Sequence, residues 1–171
     1  MKASYLVPQL VLAVVSACES GTPAVQHAQL ASLAFDVPSD WHRNDTSRNG
    51  LDTSVWTPED NEHKESVAVM RTVLGLPASL PEIETLLEQS KRSMRGASAG
   101  SITPIVTARG LVGARLELDY LPLEKHQPYH RVHVVLLDGS ALVHVLYTAQ
   151  APDAGLGAFT TVLSSIHEVR S

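Results

Sequence analysis

Apolar and polar residues alternate along much of this chain with the two-residue period of strands buried on one face. Leu33, Phe35 and Val37 alternate with Ser32, Ala34 and Asp36, the spacing that sends successive side chains to opposite sides of a sheet. Pro38-Ser39-Asp40 turns the chain and Trp41 follows. Arg43 to Gly50, ending in Asn49-Gly50, is polar and aperiodic and reads as a loop. A short strand is expected at Thr53 to Thr57 and a longer one near Ser66 to Leu74, with the polar link Pro58 to Lys64 between them. The period then changes. Ile83, Leu86, Leu87 and Met94 fall on one face at helical spacing. Ser79 and Glu82 carry the S-x-x-E spacing of a capping box, and Pro81 is tolerated in the first turn, where its missing N–H costs nothing. Acidic Glu82, Glu84 and Glu88 precede basic Lys91, Arg92 and Arg95, as the helix dipole prefers. Gly96 follows as a terminator.

Four strands are expected next. Ile102 to Ala108 contains Pro104, which cannot donate to a ladder and so marks an edge. Val112, Ala114, Leu116, Leu118 and Tyr120 alternate with Gly113, Arg115, Glu117 and Asp119. Tyr129 to Leu137 and Ser140 to Ala149 flank Asp138-Gly139, a two-residue hairpin signal. Pro152-Asp153 opens a last helix with the apolar stripe Leu156, Phe159, Leu163 and Ile166. The order is β-β-β-α-β-β-β-β-α. It predicts an α+β domain, with a largely antiparallel sheet of about six to seven strands packed against two main helices.

The N-terminus follows a different pattern. Lys2 precedes an apolar stretch from Leu6 to Val15, broken by Pro8 and Gln9. A stretch of roughly ten residues falls short of the roughly 20 that cross a bilayer core, and with its charged start it reads as an export signal. Val15-Ser16-Ala17-Cys18 resembles the lipobox of bacterial lipoproteins. The resemblance implies that residues 1–17 are a signal peptide removed before Cys18. It also implies that Cys18 carries a diacyl group and that a further acyl chain, such as palmitate, sits on the new amino terminus. Two or more chains give stable membrane retention. Cys18 is the only cysteine, so no internal disulfide competes for it. Residues 18–30 then read as the acylated cysteine and a flexible tether, because Glu19 to Gln29 are small and polar without an apolar period. Residues 31–171 read as a single domain. Glu19, in place of the aspartate that retains lipoproteins at an inner membrane, favours the outer membrane of the cell envelope.

Composition narrows the classes. Hydrophobic residues make up 44% and charged residues 18% of the chain, the balance of a globular domain. About 150 residues bury enough surface to support one core without staples. The formal net charge is −5, and no basic run exceeds Lys91-Arg92. The clustered cations that neutralise nucleic-acid phosphates are missing, as is the polybasic patch that draws proteins to anionic lipid.

Phe35-Asp36-Val37-Pro38-Ser39-Asp40-Trp41 combines a strand, a proline turn and a tryptophan. With the Ser79 to Met94 helix and the Phe159 to Ile166 helix after Tyr147-Thr148, it resembles the opening and framework of the PsbP-like fold. That fold is shared with the Mog family of GTPase-binding proteins and includes the DcrB-like exported lipoproteins. The resemblance implies a scaffold that binds or assembles other proteins. It carries no shared catalytic residue, and fold likeness alone does not assign a function.

Eight histidines raise the question of a metal. His130 and His133 are three apart in a strand and so point to opposite faces. With Asp138-Gly139 as the turn, Leu137 faces Ser140, Val135 faces Leu142, and His133 faces His144. Directly opposed Cβ atoms lie about 4.5–5.5 Å apart, close enough for two imidazoles to share a zinc or copper ion. Aligning the apolar face of Val112 to Tyr120 with that of Val132 to Leu136 adds Glu117 beside His133 and puts Asp119 near Arg131. The expectation is an open Glu117, His133, His144 site. Its plain alternative is two half-exposed histidines on the polar side of a sheet. No G-x-S-x-G elbow occurs, so no catalytic residue is assigned. Gly155 and Gly157, near the start of the last helix, read as allowing close packing. Trp41 and Trp56 could line a ligand groove, but large aromatics dominate small cores, and at least one of them is expected in the core. The expected function is a non-catalytic, protein-binding envelope lipoprotein; the alternative is a lipoprotein that binds a small ligand or metal.

Overall fold

The computed structural model describes residues 24–48, 51–62, 64–94, 96–98, 100–123, 125–150 and 156–169. The leader, Cys18, Pro152-Asp153 and Gly155 lie outside the described residues. Strands β1 (Val25–Leu30), β2 (Leu33–Pro38), β3 (Trp41–Arg48), β4 (Leu51–Pro58) and β5 (Ser66–Val73) precede helix α1 (Leu80–Ser93). Then come β6 (Ile102–Val106), β7 (Val112–Tyr120), β8 (Tyr129–Asp138), β9 (Ala141–Gln150), α2 (Gly157–Ser165) and the short β10 (His167–Glu168). The fold is α+β, as the periodicity requires. Three strands were not anticipated: the short β10 after α2, and two longer ones. Part of the expected tether, Val25–Leu30, is β1, paired along its length with β2. The polar run from Arg43 to Gly50, read as a loop, supplies most of β3 (Trp41–Arg48), on the edge of the large sheet. Both are edge strands with much of their surface in water, so neither carries the apolar alternation by which a strand is recognised.

Seven strands form one antiparallel sheet in the order β3-β4-β5-β9-β8-β7-β6, and β1-β2-β10 form a second, smaller one. The chain climbs from β3 to β5, crosses through α1 to the far edge at β6, and returns strand by strand until β9 pairs with β5. Pro104 does lie on the edge strand β6. At Gly113 a side chain would meet the backbone oxygen of Val135 at 2.0 Å, so β7 approaches β8 as closely as it does only because that residue is glycine.

The large sheet is covered on both faces. The small sheet and α2 cover one face through Phe35, Val37, Phe159 and Val162, packed on Val69, Val134, Val145 and Tyr147. Helix α1 covers the other with Ile83 and Leu87 on Ala114, Leu116, Leu118 and Val135. The start of α1 is tied as expected: the backbone N–H and the hydroxyl of Ser79 both donate to Glu82 Oε2, each at 2.7 Å. Trp41 and Trp56 are both buried in the core on the small-sheet side.

Candidate functional site

The β8–β9 hairpin sets the geometry of the histidines. Asp138 pairs with Ala141, so the turn is Gly139-Ser140 and not Asp138-Gly139. Gly139 sits at φ +58, and a glycine at the first central position is what a type II′ turn needs. Asp138 instead closes β8, its side chain 4% exposed and 3.5 Å from Arg71 Nε in an ion pair that reaches from β8 to β5 across β9. The expected register is therefore corrected by two residues: His133 pairs with Leu146, and His144 with Val135. A shift of two preserves the face, so the two histidines stay together, as diagonal neighbours in place of opposed ones. His133 Nε2 and His144 Nδ1 are 3.1 Å apart, one ring N–H donating to the other ring's bare nitrogen. The rings are stacked, with centroids 5.3 Å apart and planes 30° from parallel.

Glu117 does not join them. Leu116, not Glu117, is paired with His133, which puts the Glu117 carboxylate on the opposite face. There Glu117 is ion-paired with Arg115 and lies 3.3 Å from His130 Nε2. Asp119 accordingly meets His130 Nδ1, at 2.9 Å, and not Arg131. The error has a physical source. Strand β8 is apolar on both sides because both faces of the sheet are covered, and a strand buried on both faces gives no alternation from which to choose the side.

His133 is only 7% exposed, under the α1 layer, and His144 is half-buried. Burial above all, then the neighbouring His144 ring and the Arg131 guanidinium, push the His133 pKa down to about 3. Burial lowers that of His144 as well. Both imidazoles are therefore neutral near pH 7, the state in which histidine ligates metals. His133 Nδ1 has no hydrogen-bond partner. Arg131, on the same face, donates to the Tyr120 hydroxyl at 3.0 Å and lies over that ring at 4.6 Å. Among the described residues, no three His, Cys, Asp or Glu side chains converge on one point. The sequence reading overlooked Met70, which pairs directly with His144 from β5 and so shares its face.

A second feature lies beside the same helix. Leu74, Leu76, Pro77, Ile83, Leu86 and Leu142 line an apolar cleft of about 350 Å³, with Glu82 at its rim. Leu76 is 78% exposed and Val73, just before it, 61%. Among the described residues, no helix is long and apolar enough to cross a membrane.

No protein-family model matches the chain, and no curated protein matches its sequence. Solved structures resemble its fold. LpqN of Mycobacterium tuberculosis, described as involved in cell envelope biogenesis, superimposes with a TM-score of 0.53 at 16% identity, covering 81% of this chain and 83% of LpqN. PA94 of Pseudomonas aeruginosa, a protein of unknown function, superimposes with a TM-score of 0.47 at 12% identity, covering 74% of this chain and 83% of PA94. At 16% identity the likeness to LpqN is one of fold.

Proposed function

We propose that this protein is a non-catalytic binding module of the bacterial cell envelope, held at a membrane, the outer one by the Glu19 criterion, through acylated Cys18. Its α1 side is presented to another envelope protein. The observation that carries the reading is the apolar cleft between α1 and the segment leading into it, where Leu76 stands almost free in water. The occupant that fits is a short apolar segment of a partner flanked by a basic residue. Leu74, Ile83 and Leu142 supply the apolar floor, and Glu82 supplies negative charge at the edge. The fold likeness to LpqN, whose role is in envelope biogenesis, supports the same address. So does the resemblance to the PsbP-like scaffolds, which act through protein contacts.

A photo-crosslinking amino acid at Val73, introduced in the native host envelope, tests this reading. A discrete adduct is expected that is lost when Leu76→Asp is added, and that does not form when the crosslinker replaces Asp52 of β4 instead. Leu76 is exposed, so its substitution leaves the fold intact. No adduct at Val73, or one indifferent to Leu76→Asp, would overturn the proposal.

A further inference from the structure

We propose that Met70, His133 and His144 form a binding site for a soft monovalent metal ion, copper(I), on the α1 face of the large sheet. Three features carry it, each independent of the cleft. The first is distance. Two imidazole nitrogens bound to one three-coordinate ion at about 2.0–2.1 Å stand roughly 3.5 Å apart. His133 Nε2 and His144 Nδ1 already face each other at 3.1 Å, so a small parting of the rings admits the ion between them. The second is the third donor. Met70 is paired with His144 across β5 and β9, and directly opposed Cβ atoms are about 4.5–5.5 Å apart. A flexible thioether at that position can swing to an ion held by the opposing ring.

The third feature is charge, and it selects the ion. Thioether and imidazole donors suit copper(I), whereas carboxylates and water suit harder ions. Among the described residues no carboxylate joins this pair in a metal-holding group, and Glu117 lies on the other face with Arg115 and His130. The nearest charge is positive: Arg131 stands two residues from His133 on the same strand face and acts on its ring electrostatically. A neutral donor set beside a guanidinium repels a divalent ion twice as strongly as a monovalent one. The rings give up nothing but a tautomer. Each stays neutral with its single proton on the outer nitrogen, and the proton now shared between them moves outward. His144, half-buried, gives the ion its way in.

The test uses the full chain carrying Cys18→Ser, kept in detergent so that no thiol competes. It is titrated anaerobically with copper(I) against a chromogenic chelator, and in parallel with silver(I) while the histidine ring signals are followed by NMR. One equivalent is expected to bind, with His133 and His144 shifting together. Met70→Leu should weaken binding about tenfold and His144→Gln about a hundredfold, whereas Glu117→Gln should leave it unchanged. No stoichiometric binding, or an affinity indifferent to Met70→Leu, overturns the site. Met70→Leu, near-isosteric and half-buried, decides the matter even if His144→Gln fails to fold. Tighter binding of zinc than of copper(I) at the same residues overturns the choice of ion.

Discussion

The two faces of the seven-stranded sheet are built on different principles. Toward the small sheet and α2, the contact layer is close to continuous hydrocarbon: Phe35, Val37 and Phe159 meet Val69, Val134, Val145 and Tyr147. Its polar groups are pushed to the margin, where His130 is held between Glu117 and Asp119. Even the Tyr147 hydroxyl, its pKa raised first by burial, is engaged by Glu65. Toward α1, the apolar patch of Ile83, Leu87, Leu116 and Val135 is smaller. A file of ionisable or polarisable side chains runs beside it: Arg131, His133, His144 and Met70. The first face is spent on stability. The second keeps donors that a purely structural layer would replace with leucine, together with an apolar cleft beside α1. The comparison teaches that the two faces differ in the chemistry of the side chains they bring to the sheet: hydrocarbon toward α2, imidazole, guanidinium and thioether toward α1.

That contrast can be broken experimentally, and the largest effect should come from the apolar face. Phe159→Ala removes an aromatic ring from the larger core and should cost about 3–5 kcal/mol of unfolding free energy in urea. A loss under 1 kcal/mol would mean that this layer is not the main source of stability.

The next effect belongs to the other face and is a dependence on pH. His133 takes up a proton near pH 6.5 when unfolded but only near pH 3 when folded. Between those values the unfolded state binds more protons, so stability is fully present above about pH 6.5 and falls as the pH drops toward 3. In chelator-treated buffer His133 alone should contribute a slope of up to about 1.4 kcal/mol per pH unit, or about 1.6 kcal/mol between pH 6.5 and 5. His144, shifted in the same direction, steepens it. Denaturant midpoints measured across this range for wild type and His133→Leu should show the slope shrinking in the variant. Parallel curves would show that the pair does not sense pH.

A smaller effect should follow from the turn that sets the histidine register. Gly139→Ala forces a side chain into a left-handed position and should cost about 1–2 kcal/mol. Open space around that residue means that strain, not collision, is responsible, so Gly139→Asn should recover part of the loss. The smallest expected effect is at the start of α1, where Ser79→Ala removes a hydroxyl that donates to Glu82 and should cost about 1 kcal/mol. Fraying there would loosen the α1 face alone, and hydrogen exchange should report it in α1 while β8 and β9 keep their protection.

Much of this architecture was written in local pattern. The S-x-x-E start and the Ile83 and Leu87 stripe mark α1 because capping and helical burial act within a few residues. Pro104 marks an edge because its ring removes one ladder donor. The clean alternation of β7 has one apolar side, since Arg115, Glu117 and Asp119 face a margin where water reaches them. By contrast, β1 and β3 were illegible because what makes them strands is pairing with partners distant in sequence, not apolar content of their own.

Sequence alone determined the two helices, the strands with an apolar face, the α+β class and the nearness of His133 to His144, since any even shift of the hairpin keeps both on one face. Tertiary structure decided which face, and with it the company the histidines keep. Asp138, ion-paired with Arg71, closes β8 instead of entering the turn, and the register moves by two. The covering of both sides of β8 erased the polarity that would have revealed its orientation. Glu117 was thereby exchanged for Met70, a hard ligand for a soft one, because the partner of a sheet residue is chosen by the packing of whole layers and not by its neighbours in the chain.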